Sequence, residues 1–241
     1  MSNESASDEM QAKVAAILAV ARHPNTPQSE AETALAMAWK LMQKYGIDGA
    51  AATRRYTISG KADLGSKEIR SKEMLLRGPY RVRRGELLYR IARANCCAGY
   101  RDIGESDAVR YIFFGTGFDI SNTQAIFAAA EMLAARVMPH GDRSWRTAWW
   151  HGYTRGIIEK LHAANREFVR EYKRENAAVV LVERSEHAEN EMKARINFRL
   201  RSTRGYIGGS IRAFTDGRRA AGGFQNGRNS VVSNFPRSLN K

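Results

Sequence analysis

Inside the longest helical pattern of this 241-residue chain, Ala148, Gly152 and Gly156 recur every four residues. A second stripe, Ala213, Gly217 and Ala221, lies nearer the C-terminus. Residues four apart share a helix face, and a glycine inside a helix costs about 1 kcal/mol relative to alanine. Two such faces need a packing reason, and the simplest is each other. The stripes predict two helices whose backbones cross closely, tying the C-terminal segment to the body of the protein.

The other helical patterns are set by apolar residues at three- and four-residue spacing. Ser144 is expected to cap the longest helix, running to about Glu175 with Trp145, Ala148, Trp149, Gly152, Ile157, Leu161, Phe168 and Tyr172 inward. Residues 7–22 read as an amphipathic helix on Met10, Val14, Ile17, Leu18 and Ala21. Ser7 is its N-cap, and Asp8 and Glu9 suit the positive end of its dipole. A second helix opens at Thr26, with Pro27 at its first position, and carries Ala31, Leu35, Ala38, Met42 and Tyr45 on one face before Gly46. The short His23-Pro24-Asn25 connection favours an antiparallel hairpin. Such a hairpin has one shared apolar face, so Leu35, Met42 and Tyr45 are its expected docking residues, for a partner or a second copy of the chain.

Residues 49–78 lack periodicity and read as a charged linker, with a short strand at Tyr56–Ile58. A helix from Gly85 points Leu87, Leu88, Ile91 and Ala92 inward. Strand-like runs at Cys96–Ile103 and Val109–Phe114 flank the turn-forming Gly104-Glu105-Ser106-Asp107, the pattern of a β-hairpin. After Gly115-Thr116-Gly117, Asp119 or Ser121 opens a helix with Ile126, Phe127, Ala130, Leu133 and Val137 in phase. Val179–Val182 reads as a strand, Ser185–Ile196 as a helix, and Ile211, Phe214 and Ala221 as one more helix in a glycine-rich tail. The expected fold is α+β and helix-dominated. It comprises a helical hairpin (1–48), a linker (49–78), a core domain with a small antiparallel sheet and a long central helix (79–200), and a basic tail (201–241).

Charge is the main compositional signal. The formal net is +14, and it is concentrated. Residues 54–90 hold eleven basic against four acidic residues, and 195–241 ten against one, so these two segments carry the whole excess. Concentrated positive charge points to a polyanion partner. Arg77, Arg81, Arg83, Arg84 and Arg90 alternate with Tyr80 and Tyr89. Further on, Arg195, Arg199, Arg201, Arg204, Arg212, Arg218, Arg219 and Arg228 accompany Phe198, Tyr206, Phe214 and Phe224. Arginine pairs bidentately with phosphate and stacks on bases, and aromatics between arginines are the means by which single-strand binders hold bases. Solvation, or pairing with acids elsewhere in the fold, is the plainer explanation of the same residues.

The segment Ala21-Arg22-His23-Pro24-Asn25-Thr26-Pro27 through Glu30-Ala31-Glu32, followed by Ala34–Ala38 and Leu41-Met42-Gln43-Lys44-Tyr45-Gly46-Ile47-Asp48, resembles the N-terminal module of an uncharacterised domain-of-unknown-function family. That family is found in phages, Mu-like prophages and bacteria. Tyr111–Asp119, then Gly152-Tyr153-Thr154-Arg155-Gly156 with Glu159-Lys160-Leu161, and later Gly217–Gly222, resemble its second region and C-terminal pattern. The resemblance implies a phage or prophage origin and action inside a bacterial host. It supplies no activity, ligand or catalytic residue.

Few residues suggest chemistry. Cys96 and Cys97 are adjacent, which disfavours an unstrained disulfide, and two cysteines without nearby histidines make no structural zinc site. They read as small buried apolar residues. His151 and His162 share a helix face about 16 Å apart, too far for one metal, and HExxH, paired CxxC and deaminase signatures are missing. Gly115-x-Gly117 lacks the following Lys-Ser/Thr of a phosphate loop, and Asp119 would repel a phosphate there. Asp102, Glu105 and Asp107 cluster in the hairpin turn, where a metal-dependent nuclease could collect acids, although an ordinary exposed turn is the better reading.

The expectation is therefore a non-enzymatic accessory protein without cofactor or metal. It would bind nucleic acid, DNA rather than RNA, through Arg77, Tyr80, Arg81, Arg83, Arg84, Arg195, Arg199, Arg201, Arg204, Arg212, Arg218, Arg219 and Arg228. An interaction factor gripping an acidic host or phage protein is the alternative, and a metal-dependent nuclease the second. No window reaches the ~18 uncharged apolar residues of a membrane span, and the acidic, polar start MSNESASDEM has no signal-peptide pattern. A bacterial host cytoplasm is the expected location.

Overall fold

In the computed structural model, the described residues are 68–102, 107–171, 177–201 and 209–221, preceded by 13–14, 16–21, 23, 25–27, 30–31, 33–34, 37–38 and 40–41. The chain is α+β and helix-dominated. Labelled from the first strand onward, the elements are β1 (Arg70–Arg77), α1 (Arg81–Ala94), β2 (Ala98–Asp102), β3 (Ala108–Gly115), α2 (Gly117–Val137), α3 (Arg143–Glu171), α4 (Ala177–Arg195) and α5 (Ile211–Ala220). β3 lies between β1 and β2 and is antiparallel to both. β1 and β2 are thus parallel, joined by the α1 crossover, with β3 returning between them.

Alternation along β3 divides the helices between two faces. Val109, Tyr111 and Phe113 face the large core shared with Leu87, Leu88 and Ile91 of α1, Ile126 and Ala130 of α2, and Trp149, Tyr153 and Ile157 of α3. Ile112 and Phe114 face the other way and meet Ala188 and Met192 of α4, together with Ile69, Ala98 and Tyr100. The hairpin expected in β2–β3 is present, with strands within two residues of their expected limits. Its turn residues 103–106 lie outside the described residues.

The two glycine stripes meet. A β-carbon on Gly152 would collide with the Phe214 carbonyl, and one on Gly217 with the Trp149 carbonyl. A β-carbon on Gly156 would stand 2.5 Å from that of Ala221. Gly209 lies against Ala148, so α5 runs parallel to α3 with its backbone seated directly on it. Only residues without side-chain bulk allow this approach, which is why the stripes run the length of the contact.

Several local expectations are corrected. Residues 70–77, taken from the sequence as linker, form β1, a polar edge strand that buries only Leu76 fully. Charged edges are one way sheets avoid unwanted pairing, and they erase the alternation that would reveal the strand. Tyr56–Ile58 lies outside the described residues. Val179–Val182 is not a strand but the opening of α4. Arg184, Ala188 and Met192 recur at helical spacing and turn inward, and the Leu181 carbonyl accepts from the Cys96 thiol, while Val179 and Val182 are exposed. Their β-branched propensity is overridden by contacts on the opposite side of the helix.

Helix ends also shift. α1 starts at Arg81 rather than Gly85, with the Tyr80 carbonyl accepting from the amides of Arg83 and Arg84. α2 is capped by Thr116, whose hydroxyl accepts from the Asp119 amide and donates to the Asp119 carboxylate. Asp142, not Ser144, caps α3 by accepting from the Trp145 amide at 2.7 Å. α5 keeps Ala213, Gly217 and the following Ala221 inward, but Ile211 stands in solvent. The cysteines are free and buried, as their composition suggested. Cys96 takes the left-handed position after α1 (φ 60°), and the Cys97 amide reaches back to the Ala92 carbonyl, the closing bond of a Schellman turn. Burial raises both thiol pKa values, leaving the pair unreactive at neutral pH.

The described N-terminal residues are helical at 13–14, 16–21, 30–31, 33–34, 37–38 and 40–41. Val14, Leu18, Ala21, Ala34 and Ala38 join the large core, and Arg136 of α2 donates to the His23 carbonyl. The proposed docking residues Leu35, Met42 and Tyr45 lie outside the described residues.

Candidate nucleic-acid interface

The arginines of 77–90 are engaged within the fold. Arg77 ends β1 and pairs with Asp107, which opens β3 across the sheet. Tyr80 adopts φ 55° at the entry to α1, accepts a hydrogen bond from Arg146 at 3.2 Å and packs beside Trp150. Arg84 pairs with Glu131 of α2 and also donates to the carbonyls of Arg77 and Pro79. Arg83 and Arg90 both turn to Glu86, at 3.6 and 3.3 Å. Arg81 is half-buried and also engaged. These guanidiniums fasten β1, α1 and α2 to one another.

Glu86 is a hub the sequence did not reveal. His151 of α3, nine-tenths buried, places Nδ1 3.3 Å from its carboxylate. Burial alone would raise the Glu86 pKa. The His151 hydrogen bond and the charges of His151, Arg90 and Arg83 outweigh burial and hold it below the usual carboxylate range. The sequence shows no acid within four residues of His151, and the partner comes from another helix. Asp119, set aside as an obstacle to phosphate, is buried and paired with Arg184 of α4. Burial nonetheless pushes its pKa up.

Of the acids considered for a nuclease, Asp102 and Asp107 are also matched with cations. Arg110 of β3 meets Glu73 of β1 at 3.2 Å and Asp102 of β2 at 3.8 Å, a ladder across three strands. Asp107 belongs to Arg77, and Glu105 lies outside the described residues. No three His, Cys, Asp or Glu gather as a metal would require among the described residues.

The C-terminal arginines fall into two groups on opposite sides of the sheet. On α5, behind α3, Arg218 pairs with Glu159 at 2.9 Å and Arg219 with Asp216 at 3.2 Å. Hydrogen bonds from Arg155 and then Arg218 hold Glu159 below its ordinary pKa. Arg212 is exposed, with no partner among the described residues. On the α4 side, Arg195 pairs with Glu191 and donates to the Ile69 carbonyl at 3.0 Å, fixing where the chain leaves the helix. Arg199 and Arg201 follow, exposed and without an acid partner among the described residues. Arg204 and Arg228 lie outside the described residues.

Between Arg195 and Arg199 the chain passes the edge strand β2. The Phe198 ring meets Tyr100 edge-on at 5.3 Å, and Tyr100 lies over Phe114 at 6.5 Å. Burial, then the Asp102 carboxylate, raises the Tyr100 pKa, so its hydroxyl stays neutral. Tyr100 was missed as a site residue because its partner lies 98 positions away. An aromatic on an edge strand that precedes a polar turn was the available clue. The predicted interface is therefore not one face, and among the described residues its aromatic and basic groups without acid partners come together around residues 198–201 and β2.

No helix among the described residues is long and apolar enough to cross a membrane. No curated protein and no solved structure matches the chain. Residues 9–48 match the family model described as "Protein of unknown function (DUF2786)", so the N-terminal segment is similar to an uncharacterised domain family.

Proposed function

We propose that this protein binds nucleic acid, with weak sequence preference, through the surface carried by Arg199 and Arg201 at the exit of α4. The observation that carries the reading is their exposure without an acid partner among the described residues, in a segment (195–241) with ten basic residues and one acid. The arginines of 77–90, which have the same composition, are matched by Asp107, Glu86 and Glu131. Unmatched guanidiniums are able to neutralise phosphates, and the cations condensed on the nucleic acid that are then released drive association. The resemblance of the N-terminal hairpin to a phage and prophage family adds a setting, the cytoplasm of a bacterial host.

The test is an anisotropy titration of the full chain with labelled duplex and single-stranded oligonucleotides at roughly 50 and 200 mM salt. Binding should weaken steeply with salt. Changing Arg199 and Arg201 together to alanine should flatten the log–log slope by about 1.4 on a single strand or 1.8 on duplex, with an unchanged melting temperature. No binding to either form at the lower salt would end the proposal.

A further inference from the structure

We infer that the nucleic acid held at this surface is single-stranded, its unpaired bases stacking on Phe198. This rests on the nucleic-acid reading above and adds the form of the ligand. Phe198 is 51 % exposed, the one aromatic ring among the exposed large hydrophobic residues described. The ring is nevertheless held in place. It stands edge-on to Tyr100, which lies on Phe114, which is buried between β2 and α4. The backbone on its N-terminal side is pinned by Arg195 to Glu191 and to the Ile69 carbonyl. A ring fixed in this way loses little freedom when a base covers it.

The flanking groups fit the same ligand. Arg199 and Arg201 alternate with Phe198 and the exposed Leu200, so an aromatic face is interleaved with guanidiniums that have no acid partner among the described residues. A single strand offers base faces and phosphates in alternation, and stacking on aromatics is its sequence-tolerant mode of binding. A duplex keeps its base faces inside the stack and could use the arginines alone. The acidic groups nearby do not oppose the ligand: Glu191 is paired with Arg195, and Asp102 with Arg110.

The experiment measures affinities of the full chain for oligo(dT), oligo(rU) and a mixed-sequence hairpin duplex at one salt concentration, for the native protein, Phe198→Ala and Phe198→Trp. The expected result is tighter binding to a single strand than to duplex. Phe198→Ala should cost about tenfold on the single strand, the low end of one lost stacking contact, and leave duplex binding unchanged. Phe198→Trp should restore single-strand binding. If Phe198→Ala leaves single-strand affinity untouched while Arg199→Ala/Arg201→Ala lowers it, stacking is refuted and the electrostatic reading survives. If no oligonucleotide binds, both are refuted. Melting transitions of the two Phe198 variants should stay well above the assay temperature, with only a small loss in Phe198→Ala from the Tyr100 contact, so lost binding cannot be attributed to unfolding.

Discussion

Residues 77–90 and 195–201 have the same ingredients, arginines separated by aromatic rings, and the fold uses them in opposite ways. In the first, Tyr80 and Tyr89 pack against the core and the guanidiniums reach acids on β3, α1 and α2. In the second, Arg195 is the arginine with a partner among the described residues, while Arg199, Arg201 and the outer face of Phe198 are exposed. The difference lies in what surrounds each run. The first enters a helix packed on its neighbours, where Arg77 and Arg84 reach acids elsewhere in the fold and Arg83 and Arg90 share Glu86 within α1. The second leaves a helix at the sheet edge, where Glu189 and Glu191 of α4 are already paired with Arg93, Lys193 and Arg195, and Asp102 of β2 with Arg110. Basic composition therefore indicates a ligand only after the acids brought near it by folding have been subtracted.

The largest way to disturb this comparison is to separate the frame that holds both runs. Gly217→Leu would force a side chain into the Trp149 carbonyl and the Tyr153 amide, backbone atoms that cannot yield. The loss should be about 3 kcal/mol or more, lowering the melting temperature by roughly 6 °C or more. Differential scanning calorimetry would measure it. An unchanged transition would mean that α5 does not sit on α3 as described.

Arg84→Ala is the next test and addresses the first run directly. It leaves Glu131 half-buried without its partner and removes the bond to the Arg77 carbonyl. The expected cost is about 2 kcal/mol in urea unfolding, with affinity of the folded protein for oligonucleotides unchanged. An arginine that costs binding but no stability would place this run in the interface and reverse the assignment of the two segments.

How much of this was legible in the sequence follows from distance along the chain. The crossing of α3 and α5 was readable because small residues at four-residue spacing have almost no other use within a helix. The β2–β3 hairpin was readable because its strands and turn are contiguous. The Arg84–Glu131 and Arg184–Asp119 pairs span 47 and 65 positions, and no local pattern distinguishes an arginine with a distant acid from one without. β1 was missed for a related reason. Its pairing with β3 is read in the register Leu76↔Val109 and Met74↔Tyr111, not in its own largely polar sequence.

The smallest expected effect is the sharpest probe of how the first run is held. Glu86 binds Arg83, Arg90 and His151 at once, and its pKa is lowered in the folded protein. A carboxylate with a depressed folded pKa stabilises the fold above its unfolded value, near 4.5, and loses that contribution as pH falls through the folded value. Glu86→Gln should therefore cost about 1–2 kcal/mol at pH 7, and the gap to the native chain should close as urea unfolding is repeated below about pH 4.5. The substitution also leaves Arg83 and Arg90 without their carboxylate. If matched charge is what keeps 77–90 out of the interface, this variant alone should gain salt-sensitive affinity for duplex, by a smaller factor than Arg199→Ala/Arg201→Ala loses it. A gap that persisted at low pH would show that Glu86 acts through shape rather than charge, and the contrast between the two runs would then need another cause.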